Sequence, residues 1–121
     1  MILHGYFRSG TSYRTRIALN LKGLRYQQVG VDLREGAHKS ADFLALNPQG
    51  MLPALEVEGA VLTQSPAILE WLEETHPEPP LMPSGALERA QVRAMAAIIG
   101  CDIHPLNNLR VLKAVRETGA D

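Results

Sequence analysis

Hydrophobic and polar positions divide the first 75 residues of this 121-residue chain into short alternating elements. Ile2-Leu3-His4-Gly5-Tyr6-Phe7 is an apolar run that reads as a short buried strand. Ile17 to Gly23 predicts a helix that stops at its glycine. Tyr26 to Asp32 mixes β-branched, aromatic and polar residues and predicts a second strand. Ala41 to Leu46 predicts a short helix closed by Asn47-Pro48. Leu52 to Val57 and Ala60 to Thr63 flank Glu58-Gly59, a two-residue hairpin signal. Ser65-Pro66 opens another helix, with serine as its cap and proline at its first position. Ala67, Ile68, Trp71 and Leu72 give that helix one apolar face.

The resulting order is βαβ, a short helix, a hairpin and a helix. It describes a small mixed sheet with helices packed on it, an α/β domain of thioredoxin-like arrangement over residues 1–78. Residues 76–84 hold four of the eight prolines, so 79–84 predicts a stiff linker. Beyond it Leu87, Ala90, Ala94, Ile98 and Cys101 recur at helical spacing, with Gly100 and Pro105 expected to bend or break the helix. Cys101 is expected to pack in a core. A helix with an apolar face needs partners. Residues 85–121 are therefore expected to be the first helix of an all-α domain that the chain carries only in part.

An apolar content of 45% with 21% charged residues is that of a globular chain. No run reaches the roughly 18 apolar residues of a membrane span, and the N-terminus has no signal-peptide pattern. One cysteine excludes an internal disulfide framework, and the chain is expected to be cytoplasmic. Net charge is −1, yet residues 1–34 carry six basic groups against Asp32 alone. With few aromatics and no basic stripe, that block suits a small carboxylate ligand better than nucleic acid. The histidines share no metal-ligand spacing, so no metal site is expected.

Arg8-Ser9-Gly10-Thr11-Ser12-Tyr13-Arg14-Thr15-Arg16 concentrates the candidate chemistry. A strand-to-helix turn presents free backbone N–H groups to an anion or thiolate, and Ser9, Thr11 and Ser12 add hydroxyl donors. Simple capping by Ser12, with solvated arginines, explains the same residues equally well. Leu52-Pro53 sits where a cis peptide would hold a turn open to a ligand. Gln64-Ser65-Pro66 marks a second helix N-terminus. His104, Asn107, Asn108 and Arg110 form a polar patch on an otherwise apolar helix.

Residues 6–19, together with Asn47-Pro48-Gln49, Leu52-Pro53-Ala54-Leu55 and Gln64-Ser65-Pro66-Ala67-Ile68, resemble zeta-class glutathione transferases. Residues 101–110 resemble the first long helix of that class's bacterial maleylpyruvate and maleylacetoacetate isomerase branch. The resemblance implies glutathione as cofactor and cis-to-trans isomerisation of a maleyl diacid. In that reaction a thiolate adds to the double bond, rotation follows, and the thiolate departs. It implies that Ser9 hydrogen-bonds the sulfur, Gln64 and Ser65 hold the γ-glutamyl carboxylate, and Leu52 before Pro53 pairs with the cysteinyl backbone. Gln49 and His104 would reach the glycine end, while Arg8 and Arg110 would clamp the substrate carboxylates. The common Ser-Ser-Cys of the family is Ser9-Gly10-Thr11 here, so Ser9 and Thr11 are expected to share activation of the sulfur. A homodimer is also implied. Two other readings stand beside the isomerase: a non-catalytic glutathione-binding or interaction module, and a general conjugating transferase.

Overall fold

The structure, a computed structural model, describes residues 1–119. It divides into two units, one covering Met1–Leu81 and a second beginning at Met82. The first unit is a four-stranded mixed sheet in the order β2-β1-β3-β4, formed by β1 (Ile2–Gly5), β2 (Gln27–Gly30), β3 (Ala54–Val57) and β4 (Ala60–Thr63). β1 and β2 run parallel and are joined through α1 (Gly10–Leu21), while β1, β3 and β4 pair antiparallel. With α2 (Ala41–Leu46) and α3 (Ser65–Thr75), this is the expected thioredoxin-like arrangement.

Alternation along the strands sends Leu3 and Leu55 to one face of the sheet, where they are fully buried with Ala18, Leu19, Ile68 and Leu72 from α1 and α3. Their neighbour Ala54 faces the other way and packs with Val31 and Phe43, the latter from α2. Gly5 ends β1 beneath α1. A Cβ there would meet the Ser12 side chain at 3.2 Å, so the glycine lets the helix start close against the strand. The hairpin turn takes positive φ at both Glu58 (51°) and Gly59 (81°), as a two-residue connection of right-twisted strands requires.

α1 begins seven residues earlier than the apolar pattern predicts. Ser9, rather than Ser12, is its cap, and Ser12 and Thr15 are buried on its inner side. Its end matches the expectation. Gly23 adopts φ 65° while its N–H bonds to the Asn20 carbonyl and the Leu24 N–H to that of Leu19, a Schellman closure. Lys22 at this end is buried, and its ammonium reaches Glu73 Oε2 at 2.8 Å and the carbonyls of His76 (2.6 Å) and Pro79 (3.1 Å). Glu73 also accepts the Leu81 N–H. This cluster fastens residues 76–81 to the ends of α1 and α3.

The second unit consists of α4 (Ala86–Ala97), a π-helical continuation (Ile98–Ile103) and α5 (Leu109–Glu117). The α-helix ends at Ala97, and Gly100, expected to bend or break it, lies within the π turns that follow. No residue of these three segments is buried, and Cys101 is exposed rather than packed in a core. The physical reason is that the helices of this unit do not enclose one another's apolar sides. No helix among the described residues is long and apolar enough to cross a membrane.

Candidate functional site

The site is built where β1 turns into α1 and meets the loop before β3. The turn closes through Ser9 N–H to the Tyr6 carbonyl (3.0 Å). Ser9 Oγ then accepts the Ser12 N–H at 3.2 Å, satisfying one of the free amides at the helix start. The same oxygen lies 2.9 Å from Thr11 Oγ1, and the Thr11 hydroxyl donates to the Leu52 carbonyl at 2.9 Å. The Leu52-Pro53 peptide is cis, and Pro53 is fully buried beneath it. Among the described residues nothing accepts the Leu52 N–H. The first turn of α1 carries no acidic residue, so its dipole favours an anion without opposition.

Gln64 caps α3 with φ 67°, and its side-chain amide donates to Gln49 Oε1 at 2.9 Å. Ser65 is buried at the first helical position. The loop from 47 to 53 therefore joins two groups: Gln49 with Gln64, and Leu52 with Thr11 and Ser9. Asn47 shapes that loop. Its side chain is buried, donates to the Met51 carbonyl (2.7 Å) and accepts the Gln49 N–H (3.1 Å). Read along the chain, Asn47 is only a helix terminator. Its spacing of two and four residues to the groups it binds is the one local signal of this role.

Gly50 makes the same loop possible. It takes φ 59°, and a Cβ there would lie 3.1 Å from the His38 carbonyl and 3.3 Å from Leu44. His38 was no candidate in the sequence, yet its buried Nδ1 has no partner. Burial first, and then the Lys39 charge, lower its pKa below the ordinary 6.5, favouring the neutral ring.

Arg8 is exposed one residue before the cap. Arg16 is turned back, donating to the Phe7 carbonyl and lying 5.3 Å from the Tyr13 ring centre. His104 and Arg110 belong to the second unit. His104 follows the π-helical segment, its N–H on the Ile99 carbonyl, and Arg110 opens α5, its N–H on Asn108 Oδ1. No group of three or more His, Cys, Asp or Glu able to hold a metal occurs among the described residues.

The sequence pattern of the glutathione S-transferase N-terminal domain matches residues 8–75, over half of the chain. The chain belongs to the glutathione S-transferase family. This transferase-family chain is 56% identical over its whole length to a solved maleylpyruvate isomerase, a bacterial glutathione S-transferase of the zeta class (TM-score 0.97), and covers 57% of that chain. It is likewise 56% identical over its whole length to the maleylacetoacetate isomerase of Pseudomonas aeruginosa, covering 58% of it. It also matches, at 46% identity and a TM-score of 0.93, a maleylacetoacetate isomerase from Methylobacterium extorquens AM1 solved with malonate and glutathione bound; 98% of this chain and 56% of that one align. The chain thus spans less than two thirds of the length of these relatives.

Proposed function

We propose that this chain supplies the glutathione site, and part of the substrate site, of a glutathione-dependent isomerase. The enzyme converts a maleyl diacid, maleylpyruvate or maleylacetoacetate, to its fumaryl isomer. The observation that carries the reading is the head of α1, where the Ser9 hydroxyl and acid-free helix amides adjoin Thr11 and the unpartnered Leu52 amide. That arrangement fits an extended cysteinyl peptide with an anionic sulfur. Glutathione supplies a thiolate nucleophile able to add reversibly to the cis double bond. Ser9 holds that sulfur, and its hydrogen bond to a charged acceptor contributes on the order of 1.5–3 kcal/mol. Leu52, next to Pro53, pairs with the peptide backbone, and Gln64 with Ser65 receives the γ-glutamyl carboxylate at the start of α3. Gln49 and His104 serve the glycine end. Arg8 and Arg110 bind the substrate carboxylates.

In this reading residues 1–78 are the glutathione-binding domain, 79–84 its linker, and 85–121 the opening of an all-α domain. The enzyme works in the cytoplasm as a homodimer. Equal identity to a maleylpyruvate and a maleylacetoacetate isomerase supports the shared diacid head without choosing the remainder of the substrate. The test compares isomerisation of both diacids with and without glutathione, in the wild type and Ser9→Ala. Turnover should require glutathione, and Ser9→Ala should lower kcat more than it weakens glutathione binding. Turnover independent of glutathione, or an unaltered Ser9→Ala variant, would refute the assignment.

A further inference from the structure

The hydroxyl contacts at the head of α1 determine where each proton lies. The Leu52 carbonyl can only accept, so the single hydroxyl proton of Thr11 is committed to it. The 2.9 Å contact between Ser9 and Thr11 must then run from Ser9 to Thr11. Ser9 Oγ in turn accepts the Ser12 N–H. The chain of bonds runs one way, from the α1 amide through Ser9 and Thr11 to the Leu52 carbonyl.

We propose that Thr11 is a positioning residue that orients the Leu52 peptide for the backbone of the bound thiol, and that Ser9 is the side-chain donor to sulfur. The inference rests on the glutathione reading above and replaces the shared role expected for the two hydroxyls. For Thr11 to serve sulfur it would have to abandon the Leu52 carbonyl and leave that acceptor without its donor. Ser9 gives up much less: the oxygen it leaves on Thr11 still donates to Leu52. A thiolate is a charged acceptor and outcompetes the neutral Thr11 oxygen, whereas a thiol sulfur is a weak acceptor and does not. The Ser9 O–H therefore points to Thr11 while the sulfur is protonated and turns to donate to the sulfur when the thiolate forms, its proton staying on Ser9 throughout. Thr11 tempers the effect of Ser9 on the thiol, since it gives the Ser9 proton an alternative in the protonated state.

This assignment reverses the sign expected of a direct sulfur donor. Thr11→Val removes the hydroxyl at nearly constant shape, and Thr11→Ser retains it. Glutathione affinity is read by calorimetry, and the pKa of the bound thiol by its ultraviolet thiolate absorbance across pH. Thr11→Val should weaken glutathione binding about three- to tenfold, the worth of one neutral hydrogen bond. The bound-thiol pKa should stay at the wild-type value or fall. Thr11→Ser should restore affinity, and Ser9→Ala should raise the pKa. A raised pKa in Thr11→Val, or failure of Thr11→Ser to restore affinity, overturns the proposal. Thr11→Ala is read in the same way should the valine variant not fold. A wild type that binds no glutathione overturns the proposal together with the reading beneath it, and is recognised before any variant is made.

Discussion

Lys22→Met tests whether the buried ammonium secures residues 76–81. The Lys22 side chain is 0% exposed and that of Glu73 9%. The three N–H donors of the ammonium match three acceptors: Glu73 Oε2 and the carbonyls of His76 and Pro79. Methionine keeps most of the apolar stem and removes the charge. Glu73 would retain the Leu81 amide but lose the ammonium, and two carbonyls would lose a donor. Removing one partner of a buried ion pair costs about 3–5 kcal/mol, because the remaining charge stays buried. The carbonyl losses are not added to that figure, because all three bonds belong to one ammonium and are lost together. A domain of this size loses about 4–8 °C in Tm per kcal/mol, so the first unit should melt at least about 12 °C lower. Circular dichroism gives the Tm, and amide exchange at Leu81 should rise with it. Lys22→Met with Glu73→Met should recover part of the loss, because the buried carboxylate that lost the ammonium is then gone as well. A Tm drop under about 4 °C, or single losses that simply add in the double variant, would refute the reasoning.

Two further outcomes follow from other parts of the first unit. Hydrogen bonds from the Arg34 side chain and amide hold Asp32 at about 2 instead of 3.8. A carboxyl whose folded pKa is depressed favours the folded state above the unfolded pKa. Its contribution is therefore lost as pH falls from about 4 towards 2. Carboxyl NMR should place Asp32 near 2 in the wild type and return it towards 3.8 in Arg34→Ala; an unchanged titration in the variant would exclude Arg34 as the cause. Gly50→Ala places a Cβ at φ 59° and 3.1 Å from the His38 carbonyl, a cost of roughly 1–3 kcal/mol. Glutathione affinity should fall with it if the 47–53 loop positions the ligand, and stability that matches the wild type would refute the strain.

The strands and the helix ends were legible where one residue type satisfies one local geometry. Gly23 closes α1 because the αL position costs glycine nothing, and Glu58-Gly59 turns the hairpin because both positions need positive φ. The start of α1 was not legible. Gly10, Thr11, Ser12 and Thr15 are poor helix formers whose hydroxyls compete for the backbone, so the segment reads as loop. Tertiary structure overrides this. The Ser9 cap, the Thr15 hydroxyl on the Thr11 carbonyl and the burial of Ser12 against Gly5 give those hydroxyls partners that keep the helix intact.

The basic first third of the chain carries a related lesson for the site. Counted by sequence, residues 1–34 offer six cations to an anionic ligand. In the fold Lys22 is consumed by Glu73 and two carbonyls, Arg34 by Asp32, and Arg16 by the Phe7 carbonyl and the Tyr13 ring. Charge patterning cannot distinguish these, because each partner becomes a neighbour only through a turn or through packing distant in sequence. Arg8, Arg14 and Arg25 are left, and only Arg8 adjoins the Ser9 cap. What residues 1–34 contribute to an anion at the head of α1 is therefore local, made by one arginine, the helix amides and an acid-free first turn. It follows that neutralising Arg8 should disturb a carboxylate bound there far more than the same change at Arg14 or Arg25, although all three count alike in net charge.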